Sequence, residues 1–553
     1  MYFNVVVVER EMIACPLLDE VEEALSREAD GLRLKDGDVQ GMLFDEPFVL
    51  LDFLLPLISA SASARPTSDR AKACLSLVAT LSSPKEVVVG VGQKLSELIT
   101  VEVSAFGDDN SSEDEREAGD VYDSAVQLAC LIGLYARALP RIATKRFRQF
   151  TEPACEATLS ALSYLAAEGA FHHSGTLDAE SPATDYLASL VFRQVSSLVS
   201  AMERPIGLGE MEPLATEPLR TLFYETAGRL HSFFSLHLAA DVAVEMYPHA
   251  RERFTRAEEP EMRETWLHAT VAAASLRDNA PMLLVEATAD SEAPLALRLG
   301  KFVTALHLIA IFKPRSITDD HMPWPFGSPY EKSLPFLREA IQHSELRLGE
   351  DELLFWLWWV VVSRPRRYPW DIMPLEMAFS ILEILTPLAA QSPSPVTRFL
   401  AYTLLDHLVT SFDDLGPSSS GHLVEGEAAQ MALLRVVVVE CPFVNMRDAA
   451  VGLVKKVVLS KLDSDSESLF LSDALFSSPL GHSILTAFPP SPTSASSPST
   501  IPSMTAGDFV EHHHRGVMER LSLVYVLLKR DTANRVRLLS FPSLLLYPAR
   551  ARG

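Results

Sequence analysis

The feature that most constrains the fold is a pair of helical patterns joined by a proline turn, between residues 428 and 462. The first pattern, Ala428–Glu440, is apolar through most of its turns, so it is too apolar to face water. Cys441-Pro442 ends it, because proline disfavours helical geometry at the residue before it. The second pattern, Asn445–Leu462, has one apolar face and Asn445 as its predicted cap. Such a pair is the repeating unit of an α-solenoid.

A third helical pattern precedes this pair, at Pro395–Phe412. Its proline suits the first turn of a helix, where the missing N–H would be unpaired anyway. Four apolar side chains recur at every fourth position and form one face: Leu400, Leu404, Leu408 and Phe412. Within the pair, Arg435–Glu440 (RVVVVE) taken alone matches a buried strand. The flanking apolar residues and the helical period after Pro442 favour a helix, and the strand stays as the alternative.

The same stretch carries a family resemblance. A helix ends in Cys441-Pro442-Phe443, and the next helix has the form R-x-A-A-V-x-L-x-K. The residues that fit this form are Arg447, Ala449, Ala450, Val451, Leu453 and Lys455. The residues that form an upstream R-x-x-A-Y-x-L-L pattern are Arg398, Ala401, Tyr402, Leu404 and Leu405. Over residues 394–462 the chain resembles the glomulin/Yap-binding protein family, and elsewhere it shares only the character of a long, acidic, helical protein.

The helical pattern predicts an all-α fold, an irregular HEAT-like α-solenoid of antiparallel helix pairs. The resemblance implies a regulator that binds proteins. Glomulin-like proteins cap the RING subunit of a cullin-RING ubiquitin ligase with their C-terminal helices and block the E2 enzyme. Fungal relatives assist a stress-responsive bZIP transcription factor in the oxidative-stress response, and kinetochore roles are also attached to the family. The resemblance implies the cytoplasm, with access to the nucleus, and it carries over no partner-binding residue.

Charge and apolar run length exclude two classes of partner. The chain has 553 residues and a formal net charge of −25. Nucleic acid and anionic membranes attract basic surfaces, so we expect neither as a partner. The longest strongly apolar run, Leu353–Val362, is about half of the roughly 20 residues that a membrane helix needs. The first residues have no basic stretch before their apolar run, so we predict no signal peptide and no membrane segment.

The cysteines indicate a reducing compartment and no redox site. Five of them are scattered along the chain without a C-x-x-C pair: Cys15, Cys74, Cys130, Cys155 and Cys441. An odd, scattered set is not a disulfide framework. We interpret all five as structural thiols.

Proline-rich and acidic segments divide the chain. Four prolines in Lys313–Pro329 predict a boundary between an N-terminal solenoid, 1–312, and a C-terminal one, 330–553. An acidic loop at 106–120 and a Pro/Ser-rich insertion at 486–510 are predicted to be disordered. The predicted helix Glu350–Ser363 carries Phe355 and three tryptophans, which indicate either full burial or an exposed partner patch.

The last predicted helix, Gly516–Leu539, is amphipathic. Four residues lie on its apolar side, with Val524 adjoining: Met518, Leu521, Tyr525 and Leu528. The histidine triplet His512–His514 before it is interpreted as a loop.

No motif predicts catalysis. Gly90-Val91-Gly92 lacks the third glycine of a dinucleotide loop, where Leu95 stands. His231 and His237 do not share a face of their predicted helix, Leu219–Ala240, so metal binding is not expected. We therefore predict no catalytic, cofactor or metal residue and a non-enzymatic scaffold. A generic HEAT-type trafficking or assembly adaptor is the alternative, followed by an enzyme whose site forms only in space.

Overall fold

The structure is a computed structural model. It describes residues 47–60, 65–100, 113–144, 146–171, 184–206, 217–233, 238–247, 260–276, 279–289, 292–312, 329–343, 346, 348–361, 375–410, 412, 422–463, 468–485 and 506–532. Within these residues there are twenty α-helices and no strand, which confirms the all-α prediction.

The chain divides into two compact units. The first comprises Met1–Leu238 and Arg256–Glu352, and the second comprises Ala239–Thr255 and Leu353–Gly553. The described helices up to the end of the first unit are α1 Pro47–Leu54, α2 Arg65–Leu81, α3 Pro84–Thr100, α4 Glu113–Ala138, α5 Arg148–Ala167, α6 Thr184–Ile206, α7 Glu217–Leu230, α8 Leu238–Met246 (almost wholly in the second unit), α9 Pro260–Ser275, α10 Ala280–Ala289, α11 Leu295–Phe312 and α12 Pro329–Gln342.

The helices of the first unit pack in two rows. Up to α7, each row joins helices that are two positions apart in the chain. One row runs α3, α5, α7 and then α11, and a second row runs α2, α4, α6 and then α9. Each helix also contacts its neighbour in the other row, as α3 does with α4 and α6 with α7. This two-row stacking is the geometry of a solenoid-like fold, in which each pair buries the apolar faces of the next.

Two glycines allow a close crossing of α7 and α11 in this unit. A Cβ added to Gly228 of α7 would overlap the Ala296 carbonyl oxygen of α11, and one added to Gly300 would overlap the Tyr224 carbonyl oxygen. The two helices therefore meet backbone to backbone at this point, which only residues without a side chain allow.

A third glycine ends α5. Gly169 has a φ of 80°, the left-handed conformation that favours glycine. The N–H of Ala170 then donates to the carbonyl of Leu165 at 3.0 Å. This bond satisfies one of the carbonyls that the end of a helix leaves without a partner.

The second unit contains the remaining helices. They are α13 Glu350–Val361 (which starts in the first unit), α14 Leu375–Gln391, α15 Pro395–Thr410, α16 His422–Arg435, α17 Val444–Asp463, α18 Asp473–Ser477, α19 Pro479–Leu485 and α20 Ala506–Arg530. Helix α14 packs against α15, α16 and α17, and α17 packs against α20.

The stretch that we interpreted as a solenoid pair is helical, and the strand alternative is wrong. Helix α16 continues as a π-helical turn, Val436–Glu440, and the N–H of Cys441 donates to the Val436 carbonyl at 2.8 Å. Cys441 then has extended backbone before Pro442, as expected. The predicted faces of α15 and α17 are both buried, so these elements are packed as their spacing predicts.

The aromatic helix α13 is buried on all sides. Phe355, Trp356, Trp358 and Trp359 are each at most 9% exposed. Of the two interpretations, full burial is therefore confirmed and an exposed partner patch is wrong.

Several predicted boundaries differ from the observed ones. Helix α4 begins at Glu113, so residues 113–120 are helical and not part of a loop. The predicted helix Leu219–Ala240 is interrupted: α7 ends at Leu230, a 3-10 turn follows at His231–Phe233, and α8 starts at Leu238.

Other predictions fall on residues outside the described part. These are the proposed boundary at 313–328, the start of the acidic loop at 106–112 and the Pro/Ser-rich segment at 486–505. Residues 506–510 of the predicted insertion lie in α20. The two-solenoid division at 312/330 therefore stays a prediction beside the observed units.

Candidate protein-binding surface

Helix α20 carries apolar side chains on two opposite sides. Leu523 and Leu527 are each 1% exposed and share a side with Gly516 and Arg520. On the other side Met518, Leu521, Tyr525 and Leu528 are exposed by 63%, 56%, 61% and 54%. We call these four residues the α20 stripe. Their spacing of three, four and three residues aligns them along one face of the helix.

Contacts with α17 fix which side of α20 faces inward. A Cβ added to Gly516 would overlap the carboxyl group of Asp448 on α17, so the glycine leaves room for this carboxyl group. Arg520 Nη1 donates to Asp448 Oδ1 at 2.8 Å, and both side chains are nearly buried. Removing either partner of such a pair would leave a buried charge, so the pair strongly favours this one orientation of α20.

A second polar contact supports the same orientation. Lys455 of α17 lies 3.6 Å from Glu519 and donates to Ser522 Oγ at 3.2 Å. With Asp448, Glu519 and Arg520 all engaged in the α17 contact, the α20 stripe is left on the outer side. An amphipathic helix normally buries its apolar side, so the exposure of this side is the unexpected feature.

Two exposed basic side chains flank the ends of the stripe. Arg515 lies before its first residue and Lys529 after its last, and both side chains are exposed. Lys529 Nζ lies 5.7 Å from the centroid of the Tyr525 ring and donates to its hydroxyl at 3.5 Å. The positive charge of Arg515 and Lys529 is opposite in sign to the net charge of the chain, which is −25. It favours partners that carry negative charge.

The described cysteines are poor redox sites. Burial raises the pKa of the Cys130 thiol to about 11 and that of the Cys155 thiol to about 12. Burial also raises the pKa of Cys441, and Cys74 is fully buried. Because the thiolate is the reactive form, burial disfavours reaction at these thiols, and Cys15 lies outside the described residues.

The histidines and glycines considered for ligand binding are placed in helices. Gly90 and Gly92 lie inside α3, and Gly90 packs on Phe48 and Leu51 of α1, so they form no phosphate loop. Residues 512–514 lie in α20, which corrects the predicted loop. His231 Nδ1 lies 2.9 Å from the Gly228 carbonyl oxygen, and His237 is outside the described residues.

A second buried histidine was not singled out in the sequence. Burial, and next the charge of His231, lower the pKa of His307 to about 3. His307 is therefore neutral at physiological pH. Across the described residues no group of three His, Cys, Asp or Glu side chains is placed to hold a metal ion. No described helix is both long enough and apolar enough to span a membrane.

Comparison with known proteins gives one family match. The model of a family described as "Uncharacterised protein family, YAP/Alf4/glomulin" matches residues 48–197, which cover α1 to most of α6. The match lies in the first unit and does not include residues 394–462, which carry the resemblance in the sequence. No curated protein and no solved structure gives a significant match.

Proposed function

We propose that this chain, which its match over residues 48–197 assigns to the YAP/Alf4/glomulin family, is a non-enzymatic protein-binding scaffold. Stacked helix pairs of the kind seen in the first unit form extended surfaces suited to protein partners. The single observation that carries the proposal is the α20 stripe. Scattered exposed leucines are ordinary, but four large apolar side chains aligned on one helix mark an interaction site.

The finer role that we propose is inhibition of a cullin-RING ubiquitin ligase. Resemblance to glomulin-like proteins supports it, because those proteins cap the RING subunit with their C-terminal helices. In this role the second unit binds the RING subunit and blocks the E2 enzyme by steric overlap. No catalytic group is required, since occupancy of the surface is sufficient.

A second role comes from the Yap-binding relatives. Here the chain binds a stress-responsive bZIP transcription factor in the oxidative-stress response, in the cytoplasm and the nucleus. The burial of the described thiols supports a scaffold in which the partner, and not a described cysteine, senses the oxidant.

The experiment is affinity purification of the tagged full-length chain from its own cells, with and without peroxide, read by mass spectrometry. Wild type is compared with the double variant Leu521→Asp/Tyr525→Asp. The matched control is Leu267→Asp on α9, because Leu267 is 64% exposed and belongs to the first unit. Since the altered side chains are exposed, all three proteins should fold alike, which circular dichroism checks.

Each outcome decides between the roles. We expect the double variant to lose its partners by about tenfold or more while Leu267→Asp keeps them. Cullin and RING subunits in the wild-type eluate support ligase inhibition, and a bZIP factor whose recovery changes with peroxide supports the stress role. Vesicle-coat or transport proteins instead would indicate the generic adaptor. Unchanged binding by the double variant would show that the α20 stripe is not the binding surface.

A further inference from the structure

The size of the α20 stripe limits what can occupy it. A side chain of this kind exposes on the order of 200 Å² when free. At the observed exposed fractions, the four side chains together expose roughly 500 Å² of surface. A stable protein–protein interface buries about 800 Å² on each partner. The stripe alone is therefore too small for a stable dimer of this chain. It spans roughly 15 Å from Met518 to Leu528, the length of three turns of a single helix.

The spacing of the stripe specifies the shape of the occupant. Apolar residues three, four and three apart are the seam positions of a helix that packs side by side with another helix. Leu523 and Leu527 are already used in the contact with α17. The exposed seam thus matches one amphipathic helix lying along α20.

The charged residues at the two ends of the stripe specify the sign of the charge that the occupant carries. Arg515 and Lys529 are both basic and both exposed. Two copies of α20 would place basic side chains opposite each other in either orientation, parallel or antiparallel. Residues 533–553, which follow Asp531 and Thr532, contain four arginines and no acidic residue, so this segment is also basic. Neither a second copy nor this segment complements the stripe.

We propose that the α20 stripe binds an amphipathic helix of a partner protein, with an apolar seam of about two heptads and acidic residues flanking it at both ends. This inference rests on the proposed function, since it names the kind of partner that the same surface takes. Acidic side chains on the occupant pair with Arg515 and Lys529, while its apolar seam covers Leu521 and Tyr525. The affinity of this helix for the α20 stripe therefore falls as salt is added.

The first test is a phage-displayed library of helical peptides of about 18 residues, panned on the full-length protein. The positions flanking an apolar seam are randomised. Clones that also bind Leu521→Asp are removed, so that the remaining clones depend on the stripe. We expect Asp and Glu to exceed Lys and Arg at the flanking positions by at least about threefold. Selected peptides whose flanking positions are neutral or basic on average would overturn the proposal. So would a selection that yields no clone dependent on Leu521.

The second test uses the most enriched peptide and fluorescence anisotropy. The variant Arg515→Glu/Lys529→Glu should bind it about tenfold more weakly and should prefer the same peptide with Lys in place of its acidic residues. The control is Arg148→Glu on α5, an exposed arginine of the first unit, which should leave the affinity unchanged. An affinity that is insensitive to the double charge reversal would refute the acidic occupant.

Two further outcomes identify other occupants. If light scattering shows a dimer that Leu521→Asp converts to a monomer, the occupant is a second copy and the proposal fails. If peptides bind only after deletion of residues 533–553, that segment is the occupant and the proposal fails. Should the cellular partners depend on the stripe while neutral or basic peptides are selected, the proposed function survives and only the acidic class is wrong.

Discussion

At the residue scale, Glu352 is a buried carboxyl group near the start of α13. Its side chain is 2% exposed, and its Oε1 atom has no hydrogen-bond partner among the described residues. Burial, and next the charge of Asp351, raise the pKa of Glu352 to about 8. The folded state therefore keeps a proton that the unfolded chain releases above its ordinary pKa of 4.5. Stability falls as pH rises from about 4.5 to about 8 and levels off above that range.

This predicts the effect of Glu352→Gln, which keeps the shape of the protonated carboxyl without its charge. The variant should be more stable than wild type by on the order of a few kcal/mol above pH 8, and nearly equal to it below pH 5. Urea unfolding at several pH values, followed by hydrogen exchange of the first unit, measures it. Glu350→Gln is the control, because the Glu350 side chain is only partly buried. A constant difference between Glu352→Gln and wild type at all pH values would contradict the prediction.

At the element scale, the crossing of α7 and α11 depends on Gly228 and Gly300. Because an added Cβ would meet a backbone carbonyl and not a mobile side chain, neither helix can make room without shifting. We predict that Gly300→Ala destabilises the first unit by about 1–3 kcal/mol, although alanine is the better helix former. Thermal unfolding should show a midpoint several degrees lower.

The control for this prediction is Gly133→Ala in α4. A Cβ at Gly133 would meet Gln194 Oε1, at 3.0 Å, the end of a side chain that can move away. This substitution should be neutral or stabilising by at most about 1 kcal/mol. If the two variants behaved alike, the backbone contact at the crossing would not be the source of the effect.

At the scale of the whole molecule, each unit has its own buried core. A chain that ends after Leu485 lacks α20 but keeps every residue of the first unit. We predict that it loses partner binding while hydrogen exchange in α3, α5 and α7 stays as slow as in the intact protein. Faster exchange in those helices would show that the two units unfold as one, and normal binding would show that α20 is not needed.

Much of the fold follows from local patterns that the sequence displays. Pro84, Pro260 and Pro395 are each the first residue of a helix, and Cys441-Pro442 ends another. The apolar turns of α13 are buried, which is one of the two alternatives that their composition allows. Start positions such as Glu113 and the break after Leu230 were missed, since acidic first turns and short 3-10 segments leave only weak signals.

The sequence by itself therefore determined the helical class, most of the helices and the inward faces of α15 and α17, because periodicity and proline act over a few residues. Only the tertiary structure decided which side of α20 faces outward. Both of its sides are apolar, so the choice lies with Asp448, whose carboxyl group meets Gly516 and Arg520 from a helix far away in the sequence. The crossing of Gly228 and Gly300 was decided in the same way, since a backbone contact between distant residues leaves no local pattern.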